Sequence, residues 1–208
     1  MVIKPIILAP RQDTPVRLLD ILGGTGKEYT MMKGAAGKTV FRNEYTPYPF
    51  KLEQVSLRFV FDEEATRVFS CLELARKEAG SPPVDIELDG QDMQLLSLLL
   101  NGRKLEKGDY SLTDDKLLIY KAPDSCRIEI EVLIKPSENT ALEGLYPSGE
   151  FLLTQCEAEG FRKITYFPDR PDVMTRFEVT MVADKQRYPV LLSNGNAVDS
   201  GDLEGGMH

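Results

Sequence analysis

From about residue 50 onward apolar and polar side chains alternate at period two, and this pattern restricts the fold more than any other feature. In the first run Val55, Leu57, Phe59 and Phe61 alternate with Gln54, Ser56, Arg58 and Val60. Side chains on a strand point to opposite faces in turn, so the spacing predicts a half-buried strand. The stretch ATRVFSCLELA continues as a second strand across a turn at Asp62-Glu63-Glu64. VDIELDG, MQLLSLLL, KLLIY and RIEIEVLI follow as further strands. Turn markers recur between them at Asp89-Gly90, Asn101-Gly102, Asp114-Asp115 and Asp124. Near the far end RFEVTMVA and YPVLLSNG read as a hairpin around Asp184–Arg187, with Asn194-Gly195 as another tight turn. This rhythm belongs to a sandwich or a curved antiparallel sheet. Only residues 14–22, and parts of 65–78 and 92–100, have room for helix. The predicted class is all-β.

The 208 residues suit one large domain or two small ones. A net charge of −8 argues against general nucleic-acid or anionic-membrane binding, which need basic surface. A cationic substrate suits it better. No apolar run approaches the roughly 20 residues of a membrane span, and MVIKPIILAP is a poor secretory signal because two prolines interrupt it. Cys71, Cys126 and Cys156 are odd in number and far apart. They predict buried free thiols in a reducing compartment, the cytoplasm first, with an organelle left open.

Residues 1–42 carry seven basic side chains against three acidic ones, which leaves −12 for the rest. This leader contains no serine, unlike most transit segments, and reads as a flexible or loosely docked extension. One short helix is expected in it, capped by Thr14, entered through Pro15 and stopped by Gly23-Gly24. GGTGK at 23–27 resembles a phosphate loop but fails on spacing. The glycine required five positions before Gly26 is Ile21, and Lys27 is followed by Glu28.

Nucleophilic catalysis needs a Ser, Cys or Thr held by a base, and a catalytic zinc needs three protein ligands. The single histidine is the last residue, His208, and no H-E-x-x-H occurs. Acid–base chemistry by paired carboxylates stays open, although with 33 acidic residues most pairs are solvated surface. The chain therefore reads as a binding or structural domain, or as part of a larger enzyme. The most polar candidate is TQCEAEGFR, residues 154–162. It is predicted as strand up to Ala158, broken by Gly160. Thr154, Cys156 and Ala158 then share one face, and Gln155, Glu157 and Glu159 the other. On the residues alone, an ordinary solvent face is the first reading of that pattern and a site the second. Asp169, Arg170 and Asp172 around Pro171 predict a structural ion-paired turn, with Arg162 in the same network.

Residues 139–196 resemble the N-terminal domain of aminopeptidase N, of the zinc-dependent thermolysin-like peptidases. LEGLY, TQCEAEGFR, ITYF, DRPDV and YPVLLSNG come in that family's order and spacing. Weaker resemblance runs through FRNEYTPYPFKLEQVSLRFVF, residues 41–61, where Pro49-Phe50 lacks the usual spacer. The resemblance covers 41–208, with 1–40 as a short basic extension or linker. It implies a saddle-shaped, mostly antiparallel β domain that precedes a catalytic domain carrying G-A-M-E-N and H-E-x-x-H. Neither motif is present, so the expectation is a fragment or isolated domain, inactive alone, of a metallo-aminopeptidase. Zinc is implied for the full-length family, with no ligands in this chain. The implied partners are peptides with a free N-terminus and the catalytic domain. Two residues carry over: Glu157, at the rim of the active site, binds the substrate's α-amine, and Gln155 lines the same pocket. Two rivals remain: a non-catalytic β-sandwich interaction domain, and a regulatory domain, each retaining the family fold.

Overall fold

The computed structural model describes residues 7–9, 42–80 and 82–208. The helix expected at 14–22 and the GGTGK stretch at 23–27 lie outside the described residues. Among the described residues thirteen strands follow in chain order: β1 (Ile7–Ala9), β2 (Phe50–Val60), β3 (Thr66–Arg76), β4 (Val84–Asp89), β5 (Gln94–Leu100), β6 (Arg103–Lys104) and β7 (Tyr110–Leu112). Then come β8 (Lys116–Ala122), β9 (Ser125–Ile134), β10 (Gly144–Ser148), β11 (Phe151–Gln155), β12 (Arg176–Val182) and β13 (Val190–Leu192). They form three sheets, in the orders β12-β2-β3-β9-β5-β6, β4-β8-β7 and β10-β11-β1-β13. The class is all-β, as the alternation predicts. Among the described residues no helix is long and apolar enough to cross a membrane.

The period-two pattern becomes burial directly. Val55, Leu57 and Phe59 of β2 point inward, as do Val68 and Leu72 of β3 and Ile128, Ile130 and Val132 of β9. Earlier in β2 the phase is shifted: Phe50 and Leu52 are the buried pair, and a bulge between Leu52 and Gln54 moves the inward positions from even to odd. One extra residue in a strand flips every side chain beyond it, so the bulge lets both halves of β2 face the same core. The inner faces of all three sheets meet in one apolar cluster that also takes in Leu8, Ile86, Leu117, Leu145 and Leu152.

Turn chemistry sets the register. The Asp62 carboxylate accepts hydrogen bonds from the Glu64 and Ala65 amides at 2.8 and 3.0 Å, closing the β2–β3 hairpin. Asn101 and Gly102 have φ of 51° and 77° and join β5 to β6, with Leu100 opposite Arg103. Two successive left-handed residues match the twist of a two-residue hairpin, and Asn-Gly tolerates them. The segments 65–78 and 92–100, which had room for helix, are mainly strand, as β3 and β5.

The hairpin expected around Asp184–Arg187 does not form. β12 runs parallel to β2, from Arg176 opposite Gln54 to Val182 opposite Val60, and β13 joins a different sheet. The reason lies in what the turn pairs with. Ala183 and His208 exchange backbone hydrogen bonds of 3.1 and 3.0 Å, so this segment is matched by the residues at 207–208. Tyr188 is buried, which pulls the chain inward before β13 begins. The segment 1–40, expected as an extension or linker, is tied down at one point: β1 lies between β11 and β13, and Leu8 is fully buried.

Candidate functional site

β10 and β11 form a hairpin with Gly144 opposite Gln155 and Leu145 opposite Thr154. Leu152 and Thr154 point into the core and Gln155 points out. Alternation holds one step further, with Cys156 buried and Glu157 exposed. The strand itself ends at Gln155, three residues before the expected end at Ala158. Residues 157–160 make a turn closed by the Gly160 amide donating to the Cys156 carbonyl at 3.0 Å. Ala158 is therefore exposed rather than inward with Thr154 and Cys156. The peptide bond between Glu157 and Ala158 is cis.

Glycine makes this turn possible. A Cβ on Gly160 would sit 2.4 Å from the Gln155 carbonyl oxygen and 3.0 Å from the Cys156 Cα. A Cβ on Gly144, at φ 72°, would sit 2.7 Å from the Lys163 Cβ. The backbone folds back on itself closely enough that only hydrogen fits at either position. The chain then enters a short 3-10 turn at Phe161–Lys163. Phe161 anchors it, edge-on to Phe167 at 4.6 Å and to Phe177 of β12 at 5.9 Å between ring centroids.

Of the polar side chains expected on one face, Gln155 stays against the turn through a backbone contact. The Gln155 Nε2 donates to the Glu157 carbonyl at 3.1 Å, holding the amide against the turn. Glu159 turns away to Arg162, 3.4 Å from its Nη2. Among the described residues Glu157 makes no ion pair, whereas the acids behind it are engaged. Arg162 donates to Asp169 from Nε at 3.1 Å and through its own amide at 3.1 Å, and its Nη2 reaches the Asp169 carbonyl at 3.1 Å. Burial raises the Asp169 carboxyl above its ordinary value, and the Arg162 hydrogen bonds pull it back. Lys163 pairs with Asp92 across the loop.

The segment DRPDV is an ion-paired turn, as its sequence predicts. Asp172 accepts from Arg170 Nε at 2.8 Å, Arg170 Nη2 at 3.1 Å, the Tyr48 amide at 3.0 Å and the Tyr45 hydroxyl at 3.2 Å. The Arg170 hydrogen bonds hold the Asp172 carboxyl well below the usual carboxylate range, with the Tyr48 amide assisting. Sequence reasoning valued Gly160 only as a strand breaker and missed Gly144. The signal available was a pair of glycines flanking a short hairpin, each followed within three residues by a bulky side chain.

Cys156 is buried under the turn, and burial, helped by the negative Asp169, pushes its thiol up to about 12. Burial likewise pushes Cys126 up to about 11. Neither supplies a thiolate at neutral pH. The His208 ring lies 2.8 Å from the Tyr188 carbonyl, a tie within the fold. Among the described residues no group of three or more His, Cys, Asp or Glu side chains could hold a metal ion.

A family model described as the Peptidase M1 N-terminal domain matches residues 50–208, and the turn with its Arg162–Asp169 network lies inside the match. The chain belongs to the Peptidase M1 N-terminal domain family. Aminopeptidase N of Caulobacter vibrioides is 47% identical over 165 residues, covering 79% of this chain and 19% of that protein. The crystal structure of Legionella pneumophila aminopeptidase A in complex with aspartic acid superposes with a TM-score of 0.74 at 33% identity, covering 80% of this chain and 20% of that one. An M1 zinc metallopeptidase from Deinococcus radiodurans shares the fold, with a TM-score of 0.55 at 16% identity over 65% of this chain and 33% of that one. The chain thus spans about a fifth of the length of the first two. The M1 N-terminal domain described here carries Gln155 and Glu157 on its β11 turn.

Proposed function

We propose that this domain is the N-terminal part of a zinc-dependent aminopeptidase and that it holds the free α-ammonium group of a peptide substrate through Glu157, with Gln155 beside it. The observation that carries this reading is the state of Glu157. Its carboxylate is exposed on a tightly built turn and makes no ion pair among the described residues, while Glu159 and Asp169 are both engaged with Arg162. A charge kept open on a preformed backbone is what an end-group anchor requires.

The physical logic follows from the substrate. An α-ammonium has a pKa of about 7.7–8.0, so most of it is cationic at neutral pH. A carboxylate in a partly desolvated cleft attracts it more strongly than one in water. Fixing the amine also fixes where the first peptide bond falls, so anchoring and register are one interaction. Among the described residues no donor set fits a zinc ion, and this reading assigns the metal of such an enzyme to residues of the longer protein. Residues 41–208 then form the domain and 1–40 an extension. The three free cysteines support a reducing compartment, the cytoplasm first.

The test uses the longer protein that contains this domain. It should hydrolyse aminoacyl-p-nitroanilides, lose that activity to a chelator, and reject the same substrates once N-acetylated. Hydrolysis of acetylated and free substrates at equal rates would remove the amine anchor. Absence of both activities would remove the aminopeptidase. The 208-residue chain alone should hydrolyse neither.

A further inference from the structure

The three sheets turn chemically different outer faces away from their shared core. On the six-stranded sheet that face carries Arg58, Arg67, Arg127, Glu129, Glu131 and Glu178. Arg67 pairs there with Glu131, and Arg127 with Glu129. On the three-stranded sheet it carries Asp85, Glu87 and Lys116. The strands of the four-stranded sheet contain no charged residue. On its outer face Tyr146, Phe151 and Leu153 are half-buried, and Val190 and Leu192 are 44% and 52% exposed. Register lines them up: Tyr146 stands opposite Leu153, and Ile7 stands between Leu153 and Leu192. An uncharged, mostly apolar row thus crosses the whole sheet. The same face leads to the candidate site. Alternation puts Phe151, Leu153 and Gln155 on one side of β11, with Leu153 roughly 7 Å from Gln155 along the strand.

We propose that this outer face is the docking surface for the metal-holding part of the longer protein, which meets it with an apolar surface of its own. The choice of occupant rests on the aminopeptidase reading given above. In that reading anchor and metal act on one substrate end. The α-amine is only two covalent bonds from the carbonyl carbon of the first peptide bond, so the residues that hold the metal must come close to Glu157. Gln155 marks the side of approach, because it points the same way as Leu153. A body that walls this side of the pocket continues over Leu153, Phe151 and Leu192. The face suits such a cover. Contiguous apolar surface marks places where macromolecules meet, and its removal from water drives the contact. On the other two sheets docking would desolvate ion pairs, a cost that this face does not impose. The relatives supply the scale, since this chain spans about a fifth of their length.

Hydroxyl-radical footprinting, read by peptide mass spectrometry, compares the 208-residue chain with the longer protein that contains it. Oxidation of Phe151, Leu153 and Leu192 should be at least about 10-fold slower in the longer protein, as in the dry centre of an interface, while Phe69 and Leu99 on the outer face of the six-stranded sheet change less than about 2-fold. A benzophenone side chain in place of Leu192 identifies the cover. On irradiation of the longer protein it should cross-link to a segment of the same polypeptide outside residues 1–208, in the part that binds zinc. Leu192→Lys should leave the urea midpoint of the 208-residue chain unchanged, because that side chain is half-exposed there. In the longer protein it should speed oxidation of Phe151 and Leu153 at least about 5-fold, since an unpaired charge is costly to bury. Equal oxidation of the face in both proteins overturns the proposal. Equal protection in both, with cross-links to residues 10–41, overturns it by assigning the cover to this chain. Cross-links to a second copy overturn it as well. None of these readouts needs turnover. A longer protein that docks on this face but hydrolyses no aminoacyl substrate removes the aminopeptidase reading and keeps the docking surface. An active one whose face stays open removes the docking surface alone.

Discussion

At the scale of single residues, the candidate site depends on groups that do no chemistry themselves. Gly160 is the sharpest case, because a methyl there would lie 2.4 Å from the backbone oxygen of Gln155. Gly160→Ala should lower stability by about 1–3 kcal/mol, the usual cost of overpacking, read as a fall in the urea midpoint at constant slope. Cys156 makes an opposite point. Its place among two carboxylates and an amide suggests reactivity, but burial raises its thiol to about 12 and leaves it inert. At pH 8 a thiol reagent should label half-exposed Cys71 first and reach Cys126 and Cys156 only after unfolding. Rapid labelling of Cys156 in the native chain would contradict its burial. The sequence made the division between Gln155, Cys156 and Glu157 legible, since period two predicts alternate faces. It did not reveal that Ala158 and Glu159 leave that pattern, because the turn depends on the close approach of Gly160 to Gln155, a contact of the folded backbone.

At the scale of elements, strands with one buried face were readable and their partners were not. β2, β3 and β9 follow from alternation because each has a core side and a solvent side. The parallel pairing of β12 with β2 leaves no mark in β12 itself, where Phe177, Val179 and Met181 alternate as they would in an antiparallel edge strand. The ion-paired turn before β12 was legible, as oppositely charged neighbours around a proline. It also gives a pH prediction. The folded Asp172 carboxyl titrates below its ordinary value of 3.8, so its ionised form favours the native state. That contribution is complete above the unfolded value and declines as pH falls through about 4 towards the folded value. Asp172→Ala should therefore cost about 1–3 kcal/mol at pH 7, given four lost hydrogen bonds with a charged acceptor. The difference from wild type should shrink below about pH 4. Denaturant melts at pH 7, 5 and 3 measure it. A penalty independent of pH would show that the carboxylate charge contributes nothing.

At the scale of the whole molecule, three sheets share one core, and the β10–β11 hairpin carries its polar turn outward from that core on a rigid base. The rigidity has identifiable sources: Phe161 wedged between Phe167 and Phe177, and Arg162 clamped to Asp169. A turn so fixed keeps Glu157 in place before any ligand arrives, which lowers the ordering cost of binding. Sequence alone could not show that support, since Phe177 and Asp169 reach the turn only through the tertiary fold. Glu157 is proposed to bind the substrate's α-ammonium. The most direct measurement is steady-state kinetics of Glu157→Gln in the longer protein, with free-amine aminoacyl substrates. Loss of one charge-assisted hydrogen bond, about 1.5–3 kcal/mol, predicts KM raised about 10- to 100-fold with the smaller change in kcat. Kinetics indistinguishable from wild type would contradict it.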